Sequence, residues 1–369
     1  MAGAAPAPAH DANSWGGLFR SRDDGGAWLS ADAGLFVGAA LALAVSPTDA
    51  NHLLYGTDTR LLRSRNAGRD WVIEAPLQFH GPTLAVAFAA DGERAWAATP
   101  AGVLTFGDAA WHRSDVPEDA IPGRALAVGM RPGRVYLLGA AGLYASSDHG
   151  RTFDRIGRRD LPDAAGSALL MMPGPEEALF AVFDGRVWAS FDEGGSWAPR
   201  DVGRPPGRIE TIASDPDAAG RLWAASSSRL YVSDDLGVTW HMRGGPIGEG
   251  DLTIRGMAAT QAGSLIVLAT HKGLLRSHDG GYTWNQVEGA LPVHLEAGPL
   301  LRDPHDAQTI YSGFSLVPYA ELRRRAEQGA NLLSRLDPVS VAGAAAFMLL
   351  LLIGGWWAAR SLAHAYRDV

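Results

Sequence analysis

No cysteine occurs anywhere in the chain, which removes disulfides, thiolate metal sites and cysteine nucleophiles together. That absence does not fix the compartment, because a domain of this size is stable outside the cytoplasm without disulfides. A basic field is missing as well. The formal net charge is −8, so the chain lacks the potential that grips nucleic acid, and no nucleic-acid partner is expected. Metal-ligand patterns are sparse: neither H-x-H nor H-E-x-x-H occurs, and His271 and His278 stand seven apart without support. No metal and no cofactor is expected. Charged residues are few, 20% against 47% hydrophobic, which permits a packed core and argues against global disorder.

What the chain has in quantity is glycine (45) and tryptophan (12), a composition suited to short strands, tight turns and aromatic staples. An octapeptide recurs. It reads S-R-D-D-G-G-A-W from Ser21, S-R-N-A-G-R-D-W from Ser64 and S-S-D-H-G-R-T-F from Ser146. It returns as S-F-D-E-G-G-S-W from Ser190, S-D-D-L-G-V-T-W from Ser233 and S-H-D-G-G-Y-T-W from Ser277. A degenerate copy, one residue shorter, runs from Thr105 to Trp111. The start-to-start intervals are 43, 41, 41, 44, 43 and 44 residues. An apolar pair such as Leu18-Phe19 or Leu230-Tyr231 precedes each full copy and reads as a strand entering a turn. In that turn the Asp or Asn can accept backbone N–H bonds, and the Gly tolerates positive φ. The closing aromatic is expected between blades, where truncation costs ~3–5 kcal/mol. Upstream of each copy lies a strand–Pro/Asp turn–strand unit, for example Ala44–Ala50 before Leu53 and Ala213–Ala219 before Leu222. Each repeat thus holds four short strands, the content of a propeller blade.

The octapeptide resembles the Asp-box (BNR repeat), Ser-x-Asp-x-Gly-x-Thr-Trp, of sialidases, sortilin, xyloglucan-degrading endoglucanases and a photosystem II assembly factor. The resemblance covers residues ~17–316 and is specific for fold rather than for function. It implies an all-β, seven-bladed propeller with structural turn acids (Asp23, Asn66, Asp148, Asp192, Asp235, Asp279) and structural aromatics (Trp28, Trp71, Phe153, Trp197, Trp240, Trp284). In that family the box acids lie in outer turns, on the face away from the ligand.

The first octapeptide has no upstream strand pair, and the last is followed by an orphan pair around Leu300 and Thr309–Tyr311. Residues 10–316 are therefore expected to close one ring by pairing ~297–316 with ~17–33, which leaves no exposed edge. Residues 1–9 resemble the small-residue cleavage region of a signal peptide but lack its charged and apolar parts. Either the true start lies upstream or these residues form a flexible leader. Beyond the ring, Pro318 starts a stalk helix over 317–337, with Tyr319, Leu322, Ala326, Leu333 and Leu336 on one face and Glu321 paired to Arg325. Residues 338–359 carry no charge and would span ~33 Å as a helix, which predicts one transmembrane segment before the tail 360–369. Four arginines on the propeller side would by the positive-inside rule place the ring in the cytoplasm. Long domains translocate largely regardless of flank charge, however, and the Asp-box relatives mostly work outside, so an extracytoplasmic (periplasmic) ring is expected.

Aligned on the Pro/Asp turn, Arg124, Arg208 and Arg255 fall at one phase of the repeat, Glu296 shares it in the closing blade, and His80 and His294 stand close by. Equal phase around a ring means convergence at the channel mouth, where three guanidiniums would take a carboxylate or an acidic peptide. The alternative is solvated rim arginines paired with local acids such as Glu210. Catalysis is less well supplied. The Arg-Ile-Pro motif of sialidases is absent, and Glu210 with Glu296 is the one carboxylate pair to nominate for glycoside hydrolysis. The expected function is a membrane-anchored, non-catalytic scaffold that binds a membrane or extracytoplasmic protein; the alternative is a membrane-anchored glycoside hydrolase.

Overall fold

A computed structural model of the chain describes residues 16–32, 34–172, 177–200, 207–248, 250–292 and 294–328. It contains seven four-stranded antiparallel sheets. Blades 1 to 6 (40–73, 85–113, 125–156, 166–199, 209–243 and 254–286) each consist of four consecutive strands. Blade 7 is composite. Its two inner strands, Glu296–Arg302 and Ile310–Ser315, come from the C-terminal side, and its two outer ones, Gly17–Ser21 and Leu29–Ser30, from the N-terminal side. The joining register runs from Gly17 opposite Phe314 to Ser21 opposite Ile310.

The octapeptides form the hairpin between the third and fourth strands of six blades, and one hydrogen-bond scheme explains why. In blade 5 the Ser233 hydroxyl donates to Asp235 Oδ1 (2.7 Å) and accepts from the Gly237 amide (2.8 Å). Asp235 then accepts the Thr239 amide at 2.8 Å and the Thr239 hydroxyl at 2.5 Å. The same Ser–Asp/Asn–Gly scheme recurs at Ser21, Ser64, Ser146, Ser190 and Ser277. Gly237 sits at φ 79°, a value that disfavours any side chain. These bonds hold the carboxyl groups down. For Asp148 and Asp235 burial pulls upward, but donation from the Thr and Ser partners prevails and brings both to about 2.

Blade 2 differs. Its strands Gly102–Gly107 and Ala110–Arg113 meet at a tight hairpin in which Asp108 (φ 53°) and Ala109 (φ 62°) both have positive φ, as a two-residue primed turn requires. Thr105 is therefore a strand residue, not the first residue of a box turn; its hydroxyl donates to Gly150 O at 3.0 Å.

The core is divided among the blade interfaces, and each holds one closing aromatic. Trp28 shares a cluster with Val267 of blade 6, Trp71 with Leu18 of blade 7 and Trp111 with Leu54 of blade 1. Phe153 joins Trp96, Trp197 joins Tyr136, Trp240 joins Phe180, and Trp284 borders the cluster of Trp223. Every one reaches back to the preceding blade, so each repeat is stapled to its neighbour.

After the closing strand the chain turns at Pro318 into helix α1 (Tyr319–Glu327). Glu321 pairs with Arg325 at 2.8 Å, the i, i+4 contact expected. Tyr319 and Ala326, on the expected apolar face, lie against the ring: the Tyr319 hydroxyl donates to Ala40 O at 2.7 Å, and Ala326 is buried. This part of the segment read as a stalk is thus docked on the propeller. Among the described residues no helix is long and apolar enough to cross a membrane. The segment 338–359 read as a transmembrane helix, the leader 1–9, the tail 360–369 and the stalk beyond 328 lie outside the described residues.

Candidate binding site at the channel mouth

Each blade's innermost strand begins beside the central axis, so residues just before or at that start converge. Arg124 precedes the strand Ala125–Val128, Arg208 precedes Ile209–Ser214, and Arg255 is the second residue of Ile254–Thr260. All three line one cavity of about 500 Å³. Leu41 and Leu84 of blades 1 and 2, Ser167 of blade 4 and Gly298 of blade 7 complete the wall, so every blade contributes.

The arginines differ in what engages them. Arg255 Nη2 pairs with Glu296 Oε2 at 2.7 Å, both side chains being mostly shielded, and its guanidinium lies 5.3 Å from the Tyr319 ring centroid. Glu296 also accepts the Tyr319 amide at 2.8 Å. Arg124, 18% exposed, forms an ion pair with Glu327 of α1. Arg208 is 74% exposed and pairs with Asp184, itself exposed, at 3.0 Å. A fourth guanidinium, Arg323 of α1, lines the same cavity, one helical turn from Glu327. Desolvation, then the charges of Arg124 and Arg255, push it below the usual arginine value, against the pull of Glu327. Four guanidiniums thus border one cavity, with Asp184, Glu210, Glu296 and Glu327 as the acids around them.

The two nominated acids have structural work. Glu210 lines the cavity and accepts the Ile254 amide at 2.5 Å, where the first strand of blade 6 is irregular. Burial pushes its carboxyl up against that bond and the nearby Arg255. Glu296 is held between Arg255 and Tyr319. The histidines lie elsewhere. His294 lines a separate cavity with His271 and Glu288 beside blade 6, and His80 is exposed and outside the lining of the mouth. Among the described residues no group of three His, Cys, Asp or Glu is placed to hold a metal. Tyr319, Arg323 and Glu327 are site residues that sequence reasoning did not nominate. The available signal was the Tyr319/Ala326 spacing, which marks a covered face without saying what covers it.

No family model matches the chain. Over 89 residues, 24% of the chain, it is 43% identical to a xyloglucanase of Hypocrea jecorina (strain QM6a), and that stretch spans 10% of the relative's length. Among solved structures, YCF48 bound to D1 peptide superposes with a TM-score of 0.56 at 18% identity, covering 76% of this chain and 95% of that one. The GH74 xyloglucanase from Xanthomonas campestris gives 0.60 at 19%, covering 80% and 52%. The extracellular domain of a two-component system protein from B. thetaiotaomicron gives 0.58 at 13%, covering 76% and 38%. At these identities the structural likeness establishes the seven-bladed fold alone.

Proposed function

We propose that the chain is a membrane-anchored, non-catalytic propeller of the Asp-box type. In this reading it holds an acidic segment of a partner protein at its channel mouth, as a scaffold for a membrane complex. The observation that carries the reading is the convergence of guanidiniums from blades 3, 5 and 6 and from α1 on one cavity. The solved YCF48, of the same fold, carries a D1 peptide, which supports a peptide as the ligand class. The uncharged segment 338–359 would be the anchor, and the ring would face the extracytoplasmic side, in keeping with an extracellular domain among the structural neighbours.

The test is fluorescence anisotropy of a fluorescein-labelled hexaglutamate peptide with the full chain in detergent micelles. The shielded Arg124 should matter more than the exposed Arg208. Arg124→Ala is expected to weaken binding about tenfold, and Arg208→Ala less than about fivefold, with both effects shrinking as salt is raised. Binding that ignores both substitutions would defeat the reading. The local likeness to a xyloglucanase and the raised Glu210 carboxyl favour glycoside hydrolysis as the second reading. Turnover of xyloglucan that is lost in Glu210→Gln would establish it instead.

A further inference from the structure

Helix α1 is joined to the closing strand Ile310–Ser315 by Leu316, Val317 and Pro318 alone, and the Leu316 amide donates to Gly38 O at 2.9 Å. The helix start is therefore delivered to the channel mouth. It is also anchored there. The Tyr319 hydroxyl is desolvated and donates to Ala40 O, its amide donates to Glu296, and its ring lies under Arg255. Gly298 makes room for that ring, since a Cβ at this position would overlap it.

The other end is held differently. Helix α1 has two acids. Glu321 is used by Arg324 and Arg325, at 2.7 and 2.8 Å. Glu327 reaches back to Arg124, and its side chain is 40% exposed. Between the two ends, Arg323 lines the cavity and feels the charge of the same Glu327. The helix thus brings one carboxylate to the arginines and adds one cation to them. An ion pair this exposed is weak, so a carboxylate entering the cavity competes with Glu327 for Arg124 and Arg323.

We propose that Glu327 is a resident pseudo-ligand of the channel mouth, which an acidic partner segment displaces from Arg124 while Tyr319 keeps the helix start in place. This rests on the acidic-peptide reading above and adds to it a competitor built into the chain. A tethered carboxylate acts at an effective concentration in the millimolar range, so it attenuates an incoming one without abolishing its binding.

The experiment compares wild type, Glu327→Gln, Arg124→Ala and the double variant as full chains in detergent micelles, titrating labelled hexaglutamate. Glu93→Gln, an exposed residue outside the cavity, controls for the change in net charge. Glu327→Gln should bind roughly two- to fivefold more tightly, the control should not, and the gain should vanish in the Arg124→Ala background. Hydrogen exchange should speed up at the last turn of α1 in Glu327→Gln and, with peptide added, in wild type, while the turn at Tyr319 stays protected. Equal affinity of Glu327→Gln and wild type overturns the pseudo-ligand while leaving the peptide site standing. Absence of binding by every form overturns both.

Discussion

Ring closure rests on a register in which Phe314 is opposite Gly17 on one side and Ala297 on the other. Phe314 is buried, meets Phe19 edge-on at 5.2 Å, and shares a cluster with Trp28 and Leu274. Phe314→Ala therefore removes a core aromatic, which costs about 3–5 kcal/mol. It also breaks an edge-to-face pair worth about 0.5–1.5 kcal/mol beyond the buried area, so the upper part of the range, about 4–5 kcal/mol, is expected. For a ring of this size each kcal/mol lowers the midpoint by roughly 2 °C, which gives a fall of about 8–10 °C by calorimetry or tryptophan fluorescence. Phe183→Ala, equally buried inside blade 4, serves as the reference, since it perturbs a sheet made of consecutive strands. If the composite blade is what makes the ring one cooperative unit, both variants unfold in a single transition. Adding Phe19→Ala to Phe314→Ala should then cost less than the sum of the two, by about the pair energy. A midpoint unchanged within 1 °C, or a separate early transition confined to blade 7, would refute the reasoning.

The box turns yield a second expectation. Asp235→Ala removes the acceptor of the exposed Thr239 amide and hydroxyl and should cost about 1 kcal/mol in urea unfolding, whereas Asp235→Asn should cost well under 1 kcal/mol. Blade 1 already uses Asn66, which accepts the Arg69 and Asp70 amides at 3.1 and 2.8 Å. Acid unfolding should show two windows. Burial, then Arg65 and Arg63, hold His52 down to about 4, so the folded state binds fewer protons than the unfolded one and stability falls as pH drops from about 6.5 to about 4. The box carboxyls of Asp148, Asp235 and Asp279, held near 2, lose their contribution only between about 4 and 2. Urea midpoints against pH check this, and His52→Gln should flatten the upper window alone.

The blade count was legible because the box is a local device: Ser, Asp and Gly satisfy one another within five residues, and the aromatic needs only the neighbouring blade. Blade 2 shows the limit. T-F-G-D-A-A-W preserves Trp111 and its place in the core, while the turn before it switched to a different backbone solution. The convergence of Arg124, Arg208 and Arg255 was legible from phase, since strand periodicity carries an offset around the ring faithfully. His294 was not, because it lies before the strand Glu296–Arg302, and phase is a property of strands. The docking of α1 was hidden for another reason. Tyr319 and Ala326 announce an apolar face, but the acceptor for the Tyr319 hydroxyl is a backbone carbonyl at Ala40, and a carbonyl has no signature in sequence.

The three-residue link between closing strand and helix also sets an order of events in time. Until Ile310–Ser315 is made, Gly17–Ser21 has no inner partner, and the first blade to be started is the last to be finished. Only three residues separate that strand from helix α1, so the helix start cannot lie far from the closed blade. Closing the ring and bringing the start of helix α1 to the mouth are therefore coupled through one strand, and any change that loosens that strand loosens both.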